Sequence, residues 1–205
     1  NRKIIDGFHP IYDIFQTQKS STNIARIKNK LNLRENVILF FGTVRKYKGL
    51  IYLIRALNKV IKEIEVDLLI VGEFWDKKQK YIDLIHKLGL KNYVKIIDKY
   101  IPNEEIHKYF KIANIVVLPY ISGSQSGIIQ IAYAFNRPVI TTDVGGYSEV
   151  IIDGKTGFIV QLKNYKELAQ KILNFFKLKN RNNFVKNIKK EKKKYNWENY
   201  IKLLL

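Results

Sequence analysis

The chain contains no cysteine and no methionine, and its 18 Asp and Glu are outnumbered by 37 Lys and Arg. Zero cysteines exclude disulfides, thiolate chemistry and cysteine-based zinc sites, a composition suited to a reducing cytosol. The histidines, His9, His86 and His107, share no short spacing, so surface or packing roles are expected of them and a metal cluster is not. No apolar run approaches the ~20 residues that span a bilayer, and no signal peptide opens the chain. Without methionine there is no initiator, and the chain reads as a piece of something longer.

The shortage of acids leaves a formal charge of +19. Such a surface suits nucleic acid, anionic lipid or an anionic small molecule, unless it reflects only a Lys-, Asn- and Ile-rich habit spread over every face. The charge is uneven: residues 177–194 (KLKNRNNFVKNIKKEKKK) set nine Lys or Arg against the single acid Glu191. A like-charge block of this kind is ordinarily a solvated face; the competing reading is a hold on an anionic membrane surface. Nucleic acid is not an expected partner, because no recognisable motif places stacking aromatics among the cations.

At 205 residues and 46% hydrophobic content the chain can bury a sizeable core. Residues 1–18 lack periodicity and suit a linker. Ser20, Ser21 and Thr22 are candidate caps for a short helix through Leu31. Then apolar runs alternate with helical periodicity. VILFFG (Val37–Gly42), DLLIVG (Asp67–Gly72), Val94–Ile97, NIVVL (Asn114–Leu118), Val139–Thr142 and Gly157–Val160 read as strands. Between them Leu50–Ile64, Lys78–Leu88, Pro102–Phe110 (with Asn103 as cap) and Ile128–Phe135 read as helices, and the remainder from Tyr165 reads as helical. This is the pattern of an α/β protein, a Rossmann-like doubly wound parallel sheet of about six strands with helices on both faces. Its ligands sit at the carboxyl ends of strands, which directs attention to the loops after Gly42, Gly72 and Leu118.

The first of these, GTVRKYKG (Gly42–Gly49), brings Arg45, Lys46 and Lys48 to a strand end. It is not a P-loop, since it lacks the second spaced glycine followed by Lys-Ser or Lys-Thr. Its cations fit a phosphorylated ligand, Arg by bidentate contact and Lys as a mobile point charge; a merely solvated basic loop is equally open. The loop after Leu118 runs through Ser122, Gly123, Ser124, Gln125, Ser126 and Gly127 into a helix. Gln125 and Ser126 offer side chains, and Gly127 and Ile128 offer N–H groups at the positive end of a helix, though an ordinary capped start has the same sequence. The two loops follow strands that are neighbours in the usual doubly wound order, straddling its switch point.

Taken in order, FFGTVRKYKGL, LLIVGEF, DKYIPNEEI, VVLPY, AYAFNRPVITTDVGGYSEVI, DGKTGFIV and NWENY resemble the motifs of the C-terminal, donor-binding domain of family 4 glycosyltransferases. These are GT-B enzymes with two Rossmann-like domains, and the resemblance covers roughly residues 10–205. It implies transfer of a sugar from a nucleotide diphosphate donor to a glycan or lipid-linked acceptor, with retention, without metal and without a cofactor. It implies an interdomain linker at 1–18, the nucleotide-sugar domain at 19–180, and basic and crossover helices at 181–205. The crossover helix would meet an N-terminal acceptor domain that this chain does not include. The setting implied is the cytoplasm, with the inner membrane face as a further partner.

The family lysine falls on Lys48. The family arginine usually follows the glycine directly, where this chain has Thr43, so its role passes to Arg45; the pair would hold and stabilise the leaving diphosphate. Gly42 belongs to the same loop. Two glutamates common in the family are absent: Ile131 stands at the second and Gly123 or Ser124 at the first. Gln125 and Ser126 would then contact the donor sugar, beside Gly127 and Ile128. Glu149 matches a common family glutamate, with a structural role equally open, and the base would lie near Gly72, Glu73, Tyr100 and Ile101. The missing carboxylates also leave a second function open, a non-catalytic nucleotide-sugar-binding domain.

Overall fold

The computed structural model describes residues 10–15, 23–123 and 126–204. All six apolar runs form strands, and they make one parallel sheet in the order β3-β2-β1-β4-β5-β6. The strands are β1 (Val37–Phe41), β2 (Asp67–Val71), β3 (Val94–Ile97), β4 (Ile115–Leu118), β5 (Val139–Thr142) and β6 (Gly157–Val160). The helices are α1 (Ile24–Lys30), α2 (Leu50–Val60), α3 (Gln79–Lys87), α4 (Asn103–Ile112), α5 (Gly127–Ala134), α6 (Tyr147–Val150), α7 (Tyr165–Lys177), α8 (Asn182–Glu191) and α9 (Trp197–Leu204).

The central strands are apolar at every position because both faces are covered. Val37, Leu39 and Phe41 of β1 join one buried cluster with residues of α4 and α5. Ile38 and Phe40 join the other with α2, α3 and α7. Each fully buried Leu, Ile or Phe contributes about 1.5–3 kcal/mol, so strand order and register follow from apolar area. Asp67, fully buried at the amino end of β2, is the charged exception. It accepts hydrogen bonds from the Arg34 backbone N–H at 2.6 Å and guanidinium at 2.5 Å. That ion pair lies at the opposite sheet edge from the ligand-type loops.

Two helix starts differ from the sequence expectation. Asn23 caps α1 by accepting from the Arg26 N–H at 2.9 Å, while the Ser20–Thr22 cluster lies outside the described residues. At α4 the cap position falls on Pro102 and Asn103 is the first helical residue; a proline there leaves no orphan N–H of its own. The one-turn helix α6 was not expected at all. His107 is buried in α4 and His86 is exposed on α3; His9 lies outside the described residues.

The basic run is only partly a free surface. Lys177 pairs with Glu63 and Lys194 with Glu191, Arg181 lies over Phe175 at 5.9 Å, and Phe184 and Ile188 of α8 are buried. Lys179, Lys186, Lys189 and Lys190 remain exposed. Near its start the chain crosses to this end, where the Ile11 N–H donates to the Tyr195 carbonyl at 2.8 Å. Beyond it α9 carries Trp197 and Ile201 about half exposed, so this apolar face is incompletely covered by the described residues. No helix among the described residues is long and apolar enough to cross a membrane.

Candidate functional site

The sheet order puts β1 beside β4, and the chain leaves these strands in opposite senses, β1 toward β2 and β4 toward β5. The switch point is therefore where the two ligand-type loops meet. Three contacts fix the first loop. Gly42, at φ +99, carries its N–H to the Val71 carbonyl. The Val44 N–H donates to Glu73 at 2.7 Å, and Trp75 returns an N–H to Val44 at 3.1 Å, extending the pairing of β1 and β2 past the sheet. A single helical turn, Lys46–Lys48, then ends at Gly49 with φ +67.

Gly49 is where the loops are welded. A Cβ built there would fall on the Pro119 carbonyl, at the end of β4. Beside this contact the Ile121 N–H donates to the Tyr47 carbonyl at 2.7 Å. The two loops are thus joined by one close backbone approach and one backbone hydrogen bond.

Together they border a cleft of about 750 Å³ whose walls include Lys48, Ser126, Gly127 and Ile128. Lys48 is only 8% exposed, and burial, with a smaller push from the Arg45 charge, brings its amine pKa down to about 8 from the ordinary 10.5. The amine stands 5.6 Å from the Tyr120 ring centre. It also lies 3.1 Å from where a Cβ at Gly42 would be, so the glycine leaves room for it. Ser126 occupies the cap position of α5 but its hydroxyl makes no cap hydrogen bond, and the first two helical residues, Gly127 and Ile128, line the cleft. A buried ammonium and a positive helix end at one cavity form an anion site.

The remaining sequence candidates are placed differently. Arg45 is exposed and its guanidinium lies over the Trp75 ring at 4.2 Å; it does not line this cleft. Glu149, on α6, is exposed with its carboxylate folded against Gly146, and it too is outside the lining. Gly72 packs on the Gly42 carbonyl, which lets the chain ends of β1 and β2 approach closely. Glu73 is half-buried, Tyr100 is 66% exposed and Ile101 is buried, beyond the cleft toward β2 and β3. Gln125 and Ser124 lie outside the described residues.

The structure adds an aromatic wall that sequence reasoning missed. Tyr12, Phe15, Tyr47, Tyr120 and Tyr147 line the cleft, with Asn103 and Ile106 of α4 and with Ile131. Tyr47 meets Tyr120 edge-on at 6.0 Å, and Tyr120 meets Tyr147 edge-on at 5.8 Å. Among the described lining residues there is no carboxylate. The signal available in the sequence was that Tyr120 and Tyr147 flank the same loop-helix-strand unit that supplied Ser126 to Ile128.

A parallel sheet with an anion cleft at its switch point defines a nucleotide-binding type of α/β domain. The chain matches the family described as Glycosyl transferases group 1 over residues 21–191 and belongs to it. It is 32% identical over 173 residues to an uncharacterized glycosyltransferase of Methanocaldococcus jannaschii, covering 82% of this chain and 43% of that protein. The chain thus spans less than half the length of that relative. In fold it superposes on the C-terminal domain of a glycosyl transferase group 1 family protein from Francisella tularensis, with TM-score 0.77, 22% identity and coverage of 93% and 100% of the two chains. It also matches Anabaena HepE in complex with UDP, with TM-score 0.81, 21% identity and coverage of 98% and 54%. The fold is that of one half of a two-domain glycosyltransferase.

Proposed function

We propose that this domain binds the donor of a glycosyltransferase, a nucleotide diphosphate sugar, and serves transfer of the sugar to a glycan or lipid-linked acceptor. The observation that carries this reading is the buried Lys48 amine facing the uncapped start of α5 across one cleft. A diphosphate there would meet a cation and several N–H groups already held in place. When the sugar leaves, the charge left on the diphosphate is stabilised by groups that need no reorganisation. An anion beside Lys48 restores its pKa, so the amine is protonated in the complex. This arrangement supports a metal-independent reaction, and family membership supports retention of configuration.

Titration of the 205-residue chain with UDP, GDP and ADP and with their glucose or mannose conjugates tests the assignment. One nucleotide is expected to bind with a micromolar to millimolar Kd and to be displaced by pyrophosphate. Failure of all of them to bind, here and in a chain that includes a preceding acceptor domain, would end it. The absence of carboxylates at Gly123 and Ile131 is what keeps the second reading, a binding domain without transfer. Slow hydrolysis of a nucleotide sugar by the longer chain would decide for an enzyme.

The half-exposed Trp197 and Ile201 support packing of α9 against the protein's own N-terminal domain, across which the acceptor would be held. The exposed lysines of residues 179–190 support a cytoplasmic protein resting on an anionic membrane face. Co-sedimentation with vesicles is then expected to rise with phosphatidylglycerol content and fall at high salt; equal binding to neutral vesicles would reject that hold.

A further inference from the structure

One end of the cleft is defined by its charge. A phosphate at the Lys48 amine has the Tyr120 ring as its neighbour, and the ring next to Tyr120 is that of Tyr147. Tyr147 projects from the first position of α6 and is 2% exposed while still lining the cleft, so the protein encloses most of its ring. Its hydroxyl oxygen sits 2.8 Å from where a Cβ would stand at Gly123, a residue at φ +152. Any side chain at position 123 would push this hydroxyl aside. Beside it, the Tyr120 hydroxyl is buried with Ser126 as its polar neighbour.

This end of the cleft therefore holds the Tyr147 hydroxyl next to ring faces and edges, with no carboxylate among the described lining residues. A sugar needs that combination: an oriented hydroxyl for one of its oxygens and an aromatic surface for its C–H groups. The geometry points to Tyr147 as the residue that recognises the sugar of the donor, with Gly123 required to admit its hydroxyl. This inference rests on the donor-site reading and goes beyond it by separating the sugar from the nucleotide. Burial raises the Tyr147 pKa to about 12, so the hydroxyl stays neutral and able to donate at any working pH.

The test compares the parent chain with Tyr147→Phe, which keeps the ring and removes one oxygen. Each is titrated with UDP and UDP-glucose, GDP and GDP-mannose, and ADP and ADP-glucose. For the nucleotide that binds, its affinity is expected to be unchanged in the variant. The ratio of nucleotide-sugar to nucleotide affinity is expected to shift against the sugar by roughly 3- to 10-fold, the size of one neutral hydrogen bond. An unchanged ratio overturns the proposal. Equal weakening of nucleotide and nucleotide sugar also overturns it, since that is the mark of a packing residue. Absence of nucleotide binding by the parent chain removes the donor-site reading itself, and this inference with it.

Discussion

Replacing Lys48 with methionine is expected to weaken nucleotide diphosphate binding by at least ~10-fold and, at neutral pH, to make the unliganded domain more stable. The two effects share a cause. The amine is held where water reaches it poorly, and its pKa of about 8 against the ordinary 10.5 measures what that costs, roughly 3 kcal/mol. Methionine fills a similar volume without the charge, so the cost disappears along with the contact to an anion. The sign with pH follows from linkage. Between about 8 and 10.5 the unfolded chain still holds a proton that the folded chain has released, so the parent gains stability as pH rises through that window. The penalty is present in full below about pH 8 and gone above the unfolded value. Urea melts at pH 7 should therefore separate the two proteins, and melts near pH 10 should bring them together. A variant less stable at pH 7, with nucleotide binding intact, would take the amine out of the site's chemistry.

The burial that gives Lys48 this cost is not visible in the sequence. Its neighbours Arg45 and Lys46 are just as basic in the sequence, yet the fold leaves both exposed; spacing from Gly42 distinguished them, through family resemblance rather than through charge. The strands were legible because burial on two faces removes every polar position, as in Val37–Phe41. The adjacency of the first and fourth strands, expected from the usual doubly wound order, is found in the sheet β3-β2-β1-β4-β5-β6. What stayed hidden depends on long-range meetings. The tyrosine wall joins residues 12, 47, 120 and 147, which no local periodicity connects. The stacking of Arg45 on Trp75 pairs two loops about thirty positions apart, and α6, with four residues, is shorter than any periodic signal can reveal. Asp67 read as one more strand residue until its partner Arg34 was placed.

Substitution of Gly49 by alanine is expected to cost about 3–5 kcal/mol and to abolish nucleotide binding at a temperature where the rest of the domain remains folded. Two terms enter, and the molecule supplies a control for one of them. Gly49 and Gly89 share the same φ of +67, so alanine at either carries the left-handed strain of about 1–2 kcal/mol. At Gly89 nothing lies within 4 Å of the new Cβ, and strain should be the whole effect. At Gly49 the Cβ falls on the Pro119 carbonyl, a backbone atom anchored by β4 that cannot rotate away. The loop after β1 must then retreat from the loop after β4. That breaks the Tyr47–Ile121 hydrogen bond and carries the Lys48 amine away from the start of α5, so stability and binding fall together. Gly89→Ala should lose only the strain and bind nucleotide as the parent does. Equal destabilisation of the two variants would show that the weld between the loops is not what assembles the anion site. The same result with binding retained in Gly49→Ala would mean that Lys48 and α5 reach the ligand independently of each other.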